Sequence, residues 1–84
     1  MRMILEIYDV VRVIAPISSV RVDASVPRVK DVLVGDVGTS VMVLAAPGAR
    51  TSYEVECVDP DGHTRWLAAL FADEVARVST VGAT

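Results

Sequence analysis

The chain lacks several features that would define a class of protein at once. It has a single cysteine, Cys57, so no internal disulfide can form, and such usage is typical of a reducing compartment. No apolar run reaches the roughly 18 residues of a transmembrane helix. Residues 1–6 carry charges among apolar side chains and have no small-residue cleavage site, which makes them a poor secretory signal. We therefore expect a cytoplasmic protein that does not associate with membranes.

Positive charge is also scarce. Eight basic residues stand against eleven acidic ones, for a formal net charge of -3. Nucleic-acid binding requires basic side chains that neutralise phosphates. Nucleic acid is therefore a disfavoured partner, and the mild acidity is typical of a surface that keeps a protein in solution.

The apolar content is high for so short a chain. In 84 residues, enough for one domain, 52% are apolar, and the mean hydropathy is +0.48. A small domain has a large surface for its volume and should be more polar than average. We therefore expect a second copy or a partner protein to cover part of the surface.

The local pattern favours strands. Valine makes up about a fifth of the residues and packs well on a pleated sheet. Prolines and glycines divide the chain into short pieces, and no amphipathic helical stretch of about ten residues or more occurs. An all-β fold of about five antiparallel strands follows. The predicted strands are residues 4–14, 39–44, 52–58, 63–70 and 75–78.

Two connecting segments have less regular patterns. In 15–34, the alternation over residues 20–23 favours a short strand, whereas Pro27 and mixed charges favour a loop. We predict an extra loop or hairpin there, whose edge would be available to a neighbouring sheet. Residues 71–74 are predicted to form a short 3-10 turn.

A hairpin at residues 52–70 sets the predicted faces of the sheet. Its turn, Asp59-Pro60-Asp61-Gly62, has proline and glycine where a type I turn with a glycine bulge needs them. Trp66 then faces outward, whereas a register slip of one residue would make it ordinary core. The predicted cross-strand pairs are Val58 with Thr64, Glu56 with Trp66, and Glu54 with Ala68. In the preceding strand Val37, Val41 and Val43 are predicted to face inward, with Ser40 and Met42 outward.

The order of these short motifs resembles a known family. The motifs are Tyr8-Asp9-Val10-Val11-Arg12, Gly35-Asp36-Val37-Gly38-Thr39, Tyr53-Glu54-Val55-Glu56, Asp59-Pro60-Asp61-Gly62 and Asp73-Glu74-Val75. Together they resemble a bacterial family of small SH3-like barrel proteins, a domain of unknown function. The resemblance covers most of residues 8–78 and implies one SH3-like barrel domain over residues 1–84. It also implies a non-enzymatic companion of other bacterial proteins, with no cofactor. The chain departs from the pattern in the longer segment 15–34 and in having Trp66 where the family usually has a small residue.

No residue pattern indicates catalysis or metal binding. His63 stands beside two aspartates, but a metal site needs three or four converging ligands. Cys57 lies within an alternating strand, as a small core residue does. Glu54 and Glu56 are about 7 Å apart on one strand face, which suits a solvated surface. The glycines of 35–38 lack the lysine and the helix of a phosphate loop.

The sequence therefore predicts a non-enzymatic protein-interaction module, forming a homo-oligomer or binding a partner protein. An indole is costly to leave in water and is enriched in binding hot spots. The predicted interface residues are Trp66, Met42, Glu54, Glu56 and Val58. One alternative is a nucleic-acid-binding barrel, if the basic residues gather on one side. Another is a small-molecule binder with its pocket between subunits, because a closed barrel of this size is filled by its own side chains.

Overall fold

The computed structural model describes residues 5–79, and these form an all-β fold. Five antiparallel strands make one sheet in the order β4-β3-β2-β1-β5, with two short 3-10 turns, Ser19–Arg21 and Ala72–Glu74. The strands are β1 (Val10–Val13), β2 (Val37–Leu44), β3 (Ser52–Val58), β4 (Thr64–Leu70) and β5 (Val75–Ser79). The predicted all-β class, the five strands and the 3-10 turn near 71–74 are confirmed. Within residues 5–79, no helix has the length and apolar character needed to cross a membrane.

The core lies on one face of this sheet, as in small barrel-like folds. Its largest fully buried side chains include Trp66 and Leu70 of β4, Val55 of β3, and Val11 and Val13 of β1. Alternate residues of β3 are buried and half-buried, because successive side chains of a strand point to opposite faces.

β1 is shorter than predicted. Residues 5–9 form a turn in which the Asp9 N–H donates to the Glu6 carbonyl oxygen at 3.1 Å. Tyr8 has a φ of 72°, in the left-handed region that interrupts a strand. Residue 4 lies outside the described residues.

The segment 15–34 forms the predicted loop, and the short strand that its alternation suggested is absent. Beyond the 3-10 turn, its sheet pairing is an isolated bridge from Val22 to Ala68 of β4. The Asp23 and Lys30 N–H groups donate to the carbonyl oxygens of Leu67 and Arg65, each at 2.8 Å. The segment therefore lies along the outer edge of β4, which is the edge that does not pair with β3, and these contacts are within one chain.

The first half of β2 has the opposite facing from the predicted one. Ser40 is fully buried and Val37 is exposed. Val43 lies opposite the buried Tyr53, on the inner side as predicted, although it is itself exposed, and Val41 is half-buried. Gly38 explains the reversal, because a Cβ there would lie 2.7 Å from Val55 Cγ1 and 2.8 Å from the Glu56 carbonyl oxygen. A register shift between Ser40 and Met42 leaves Met42 exposed on the outer side, as predicted.

Candidate protein-interaction surface

The β3–β4 hairpin has the predicted turn but a different register beyond it. Gly62 has a φ of 90°, and its N–H donates to the Asp59 carbonyl oxygen at 2.8 Å. Val58 pairs with Thr64 as predicted, and the register then shifts between Val58 and Cys57. This bulge advances β4 by one residue. The predicted pairs of Glu56 with Trp66 and Glu54 with Ala68 are therefore wrong; the observed pairs are Cys57 with Trp66, Glu56 with Leu67, and Glu54 with Ala69.

The shift places Trp66 in the core, so its predicted outward position is wrong. Its side chain is fully buried, and its Nε1–H donates to Asp36 Oδ2 at 2.9 Å. The same carboxylate oxygen accepts the Leu33 N–H at 3.0 Å. Trp66 has no surface to offer a partner and acts instead as a core residue tied to the turn before β2.

The other predicted interface residues do lie on the outer side of the sheet. In register, Arg12 lies opposite Val37, Thr39 opposite Glu56, and Met42 opposite Glu54. Two residues further along the β2–β3 register, Val37 lies beside Val58. We call this surface the outer face; its residues are Val10, Arg12, Val37, Thr39, Met42, Glu54, Glu56, Val58, Thr64, Leu67 and Ala69.

Apolar side chains in the outer face are open to solvent. Met42 is 49% exposed, Val58 48% and Val37 42%. Glu54 and Glu56 are half-buried between them, and Glu56 Oε2 accepts a hydrogen bond from the Thr64 hydroxyl at 2.6 Å. The face therefore combines an apolar surface with acidic groups on β3.

Arg12 and Glu54, two charged residues of the outer face, lie at diagonally opposite positions on it. Arg12 is exposed on β1, and Glu54 lies on β3. Among residues 5–79, neither side chain has an ion-pair or hydrogen-bond partner. Two strand spacings and four residues of rise put them about 17 Å apart. Sequence patterns did not place Arg12 or Val37 on this face, because their position depends on the register of β1 and β2.

The hairpin tip is a separate, polar region. His63 Nδ1 lies 3.1 Å from Asp61 Oδ2, and both side chains are largely exposed. Hydrogen bonds from the backbone and then the side chain of His63 lower the pKa of Asp61. A cleft of about 500 Å³ beside the tip carries the opposing charges of Arg28, Lys30, Asp59 and Asp61. Within residues 5–79, no three His, Cys, Asp or Glu side chains converge as metal ligands would.

Cys57 is a buried thiol. Its side chain is 5% exposed. Burial, and then the negative charge of Asp36, raise its pKa. A buried thiol in its protonated form is a poor nucleophile.

A second buried polar pair lies at the end of the β1–β2 ladder. Asp9 and Ser40 are fully buried, and Asp9 Oδ2 accepts from the Glu6 N–H at 2.8 Å and lies 3.3 Å from Arg77 Nε. Within residues 5–79, Asp9 Oδ1 and Ser40 Oγ have no hydrogen-bond partner.

No known family model, curated protein or solved structure matches the chain. The resemblance to the bacterial SH3-like barrel family therefore stays a prediction, and the functional argument rests on the geometry above.

Proposed function

We propose that the protein is a non-enzymatic interaction module that associates with a second copy of itself through the outer face. The supporting observation is the exposure of three apolar side chains on the outer face: Val37 and Val58, which are neighbours across β2 and β3, and Met42, which lies opposite Glu54. Removing such side chains from water contributes about 25 cal/mol per Å² of apolar area.

The charges of the outer face favour a second copy over an unrelated protein. A two-fold symmetric contact requires the surface to be complementary to itself. A suitable two-fold axis lies in the interface plane, passes above Thr39 and is perpendicular to the line that joins Arg12 to Glu54. Rotation about this axis places Arg12 of each copy opposite Glu54 of the other copy. Arg12 and Glu54 of the two copies would then form two symmetric ion pairs, one on each side of Thr39.

The area available predicts weak association. The five strands have four to eight residues each, and at about 3.4 Å of rise per residue and about 4.8 Å between strands they cover at most about 500 Å² for each copy. A stable, specific interface buries about 800 Å² on each partner. We therefore expect a concentration-dependent dimer with a dissociation constant of about 10 µM to 1 mM.

Sedimentation equilibrium over that concentration range tests the proposal. We expect the wild type to shift from monomer to dimer, and Met42→Glu to remain monomeric because its carboxylate would lie between two apolar surfaces beside Glu54. Val20→Glu is the matched control, since Val20 is 87% exposed and belongs to the Ser19–Arg21 3-10 turn and not to the outer face. A wild type that stays monomeric throughout, or a Met42→Glu dimer as tight as the wild-type one, would contradict the proposal.

A further inference from the structure

We propose that residues 19–31, here called the strap, form a displaceable cover over the outer edge of β4. When the strap lifts, that edge binds an extended segment of another protein in which a basic residue is followed by a β-branched apolar one. This second interaction uses a sheet edge and does not depend on self-association through the outer face.

The strap occupies the main-chain groups that an added strand would use. The carbonyl oxygens of alternate β4 residues point to this edge, and three of them accept hydrogen bonds from the strap. The Lys30 N–H donates to Arg65 and the Asp23 N–H to Leu67, each at 2.8 Å, while Arg21 Nη1 lies 3.4 Å from the Ala69 carbonyl oxygen. The three acceptors are two residues apart, the spacing at which an added strand would bind, whereas the strap reaches them from separate positions and contributes one isolated bridge among the described residues.

One side chain fixes the strap to the body of the fold. Arg21 donates from Nη1 and Nη2 to the two carboxylate oxygens of Glu74, both at 2.6 Å. The guanidinium also lies 5.0 Å from the centre of the Phe71 ring, and Glu74 Oε1 accepts the Phe71 N–H at 2.8 Å. Such bidentate, charge-assisted contacts are strong and directional, so the position of the strap depends on Arg21.

Apart from this anchor and the two main-chain hydrogen bonds to β4, most of the strap is open to solvent. Val22 packs against the core, whereas most strap residues are exposed and Val20 is 87% exposed. The two ends of the loop that contains the strap are held together by other hydrogen bonds. The Gly35 N–H donates to the Val13 carbonyl oxygen, and the Val13 N–H donates to the Asp36 carbonyl oxygen, each at 2.8 Å. The strap can therefore open while β1 and β2 stay paired, as low-stability segments with few buried contacts do.

The contacts of the strap specify the segment that would replace it. A basic side chain at the place of Arg21 would pair with Glu74, and an apolar β-branched one at the place of Val22 would pack against the core beside Ala68. Extended main-chain donors would satisfy the carbonyl oxygens of Arg65 and Leu67, so proline is excluded at the two donating positions. This is recognition by addition of a strand to a sheet edge.

The test uses a labelled synthetic peptide with the sequence of residues 18–26, measured by fluorescence anisotropy. Because the strap competes for the edge, weakening the strap should tighten peptide binding. We expect Arg21→Ala to bind the peptide about tenfold or more tightly than the wild type, the factor expected for losing one bidentate pair. Arg50→Ala is the matched control, since Arg50 also lies over Phe71, at 4.1 Å, but pairs with the exposed Asp73; it should bind as the wild type does.

Hydrogen exchange of the Asp23 and Lys30 amides provides the second measurement. It should accelerate in Arg21→Ala while the β3 amides stay protected. If that variant does not fold, Arg21→Met replaces it, keeping an aliphatic side chain over Phe71 while removing the charge. Unchanged exchange at the two amides would overturn the displaceable strap. Faster exchange without tighter peptide binding, or equal binding of a peptide carrying Arg21→Glu, would overturn strand addition.

Discussion

Replacing Trp66 with phenylalanine tests the revised register of the β3–β4 hairpin. The fully buried indole N–H donates to the half-buried Asp36 carboxylate at 2.9 Å. Loss of a hydrogen bond to a charged group costs about 1.5–3 kcal/mol, and the smaller ring leaves a cavity costing about 1 kcal/mol more. We therefore expect Trp66→Phe to lower the free energy of unfolding by about 2.5–4 kcal/mol.

That loss is large for so small a domain. At 0.05–0.15 kcal/mol per residue, the whole fold is stable by about 4–13 kcal/mol. Urea unfolding followed by far-ultraviolet circular dichroism suits the measurement, because the variant has no tryptophan to report by fluorescence. Val20→Ala, at an 87% exposed position outside the outer face, is the control and should change stability by less than about 0.5 kcal/mol.

A double-mutant cycle separates the hydrogen bond from the packing. Asp36→Ala also removes the acceptor of the Leu33 N–H, but that contribution cancels in the cycle with Trp66→Phe. We expect a coupling energy of about 1–2 kcal/mol. A cost below about 1 kcal/mol for Trp66→Phe, together with no coupling to Asp36, would refute the buried position of the indole.

Three further predictions follow from single contacts. Gly38→Ala should destabilise the fold by about 1–3 kcal/mol in urea unfolding, because the new Cβ would meet the Glu56 carbonyl oxygen at 2.8 Å; a neutral substitution would contradict the close approach of β2 and β3. Cys57 should react with a thiol reagent far more slowly in the native protein than in urea, because burial raises its pKa; equal rates would show that the thiol is accessible. Burial, the largest single contribution, raises the pKa of Glu74, and the negative charge of Asp73 adds to that effect. The hydrogen bonds from Arg21 and from the Phe71 N–H, together with the positive charge of Arg21, outweigh both and hold the pKa of Glu74 below 4.5. The Glu74 carboxylate therefore contributes stability that is present above pH 4.5 and is lost as the pH falls through its lowered pKa. The difference in stability between the wild type and Glu74→Gln should shrink on acidification. A difference that stays constant would contradict the Arg21–Glu74 contact.

The sequence carried enough information for the class of fold and for one strand in detail. Tyr53, Val55 and Cys57 alternate with polar residues, and all three are buried as that period predicts. Gly62 takes the positive φ that the Asp59–Gly62 turn requires. Both signals are local, because each depends on a few consecutive residues.

Such local signals do not predict which side chains of β4 point into the core. From Trp66 to Leu70 every residue is apolar, so the pattern contains no alternation that distinguishes the two faces. The bulge next to Thr64 then shifts the strand by one residue, which moves every side chain to the other face. Trp66 was thus assigned to the surface when its place is the core.

On the outer face, too, local sequence patterns predict the facing of some residues and not of others. Val58 faces outward as the strand period predicts, whereas Met42 does so because the register shifts between Ser40 and Met42; the half-buried Glu54 and Glu56 lie beside them. In β2, however, the buried Ser40 and the exposed Val37 reverse the usual preference, because Gly38 lets β2 approach β3 closely. The strap was equally hidden from the sequence, since its position depends on the distant pairing of Arg21 with Glu74.

Self-association through the outer face is tested most directly by mixing two charge-reversed variants. Arg12→Glu and Glu54→Arg should each dimerise more weakly than the wild type, since like charges would face one another across the two-fold axis. Mixed in equal amounts, the two variants should form a heterodimer in sedimentation equilibrium, because both ion pairs are then restored with one variant supplying the acidic and the other the basic side chains. If the mixture associates no better than either variant alone, Arg12 and Glu54 do not meet across an interface and the proposed dimer is wrong.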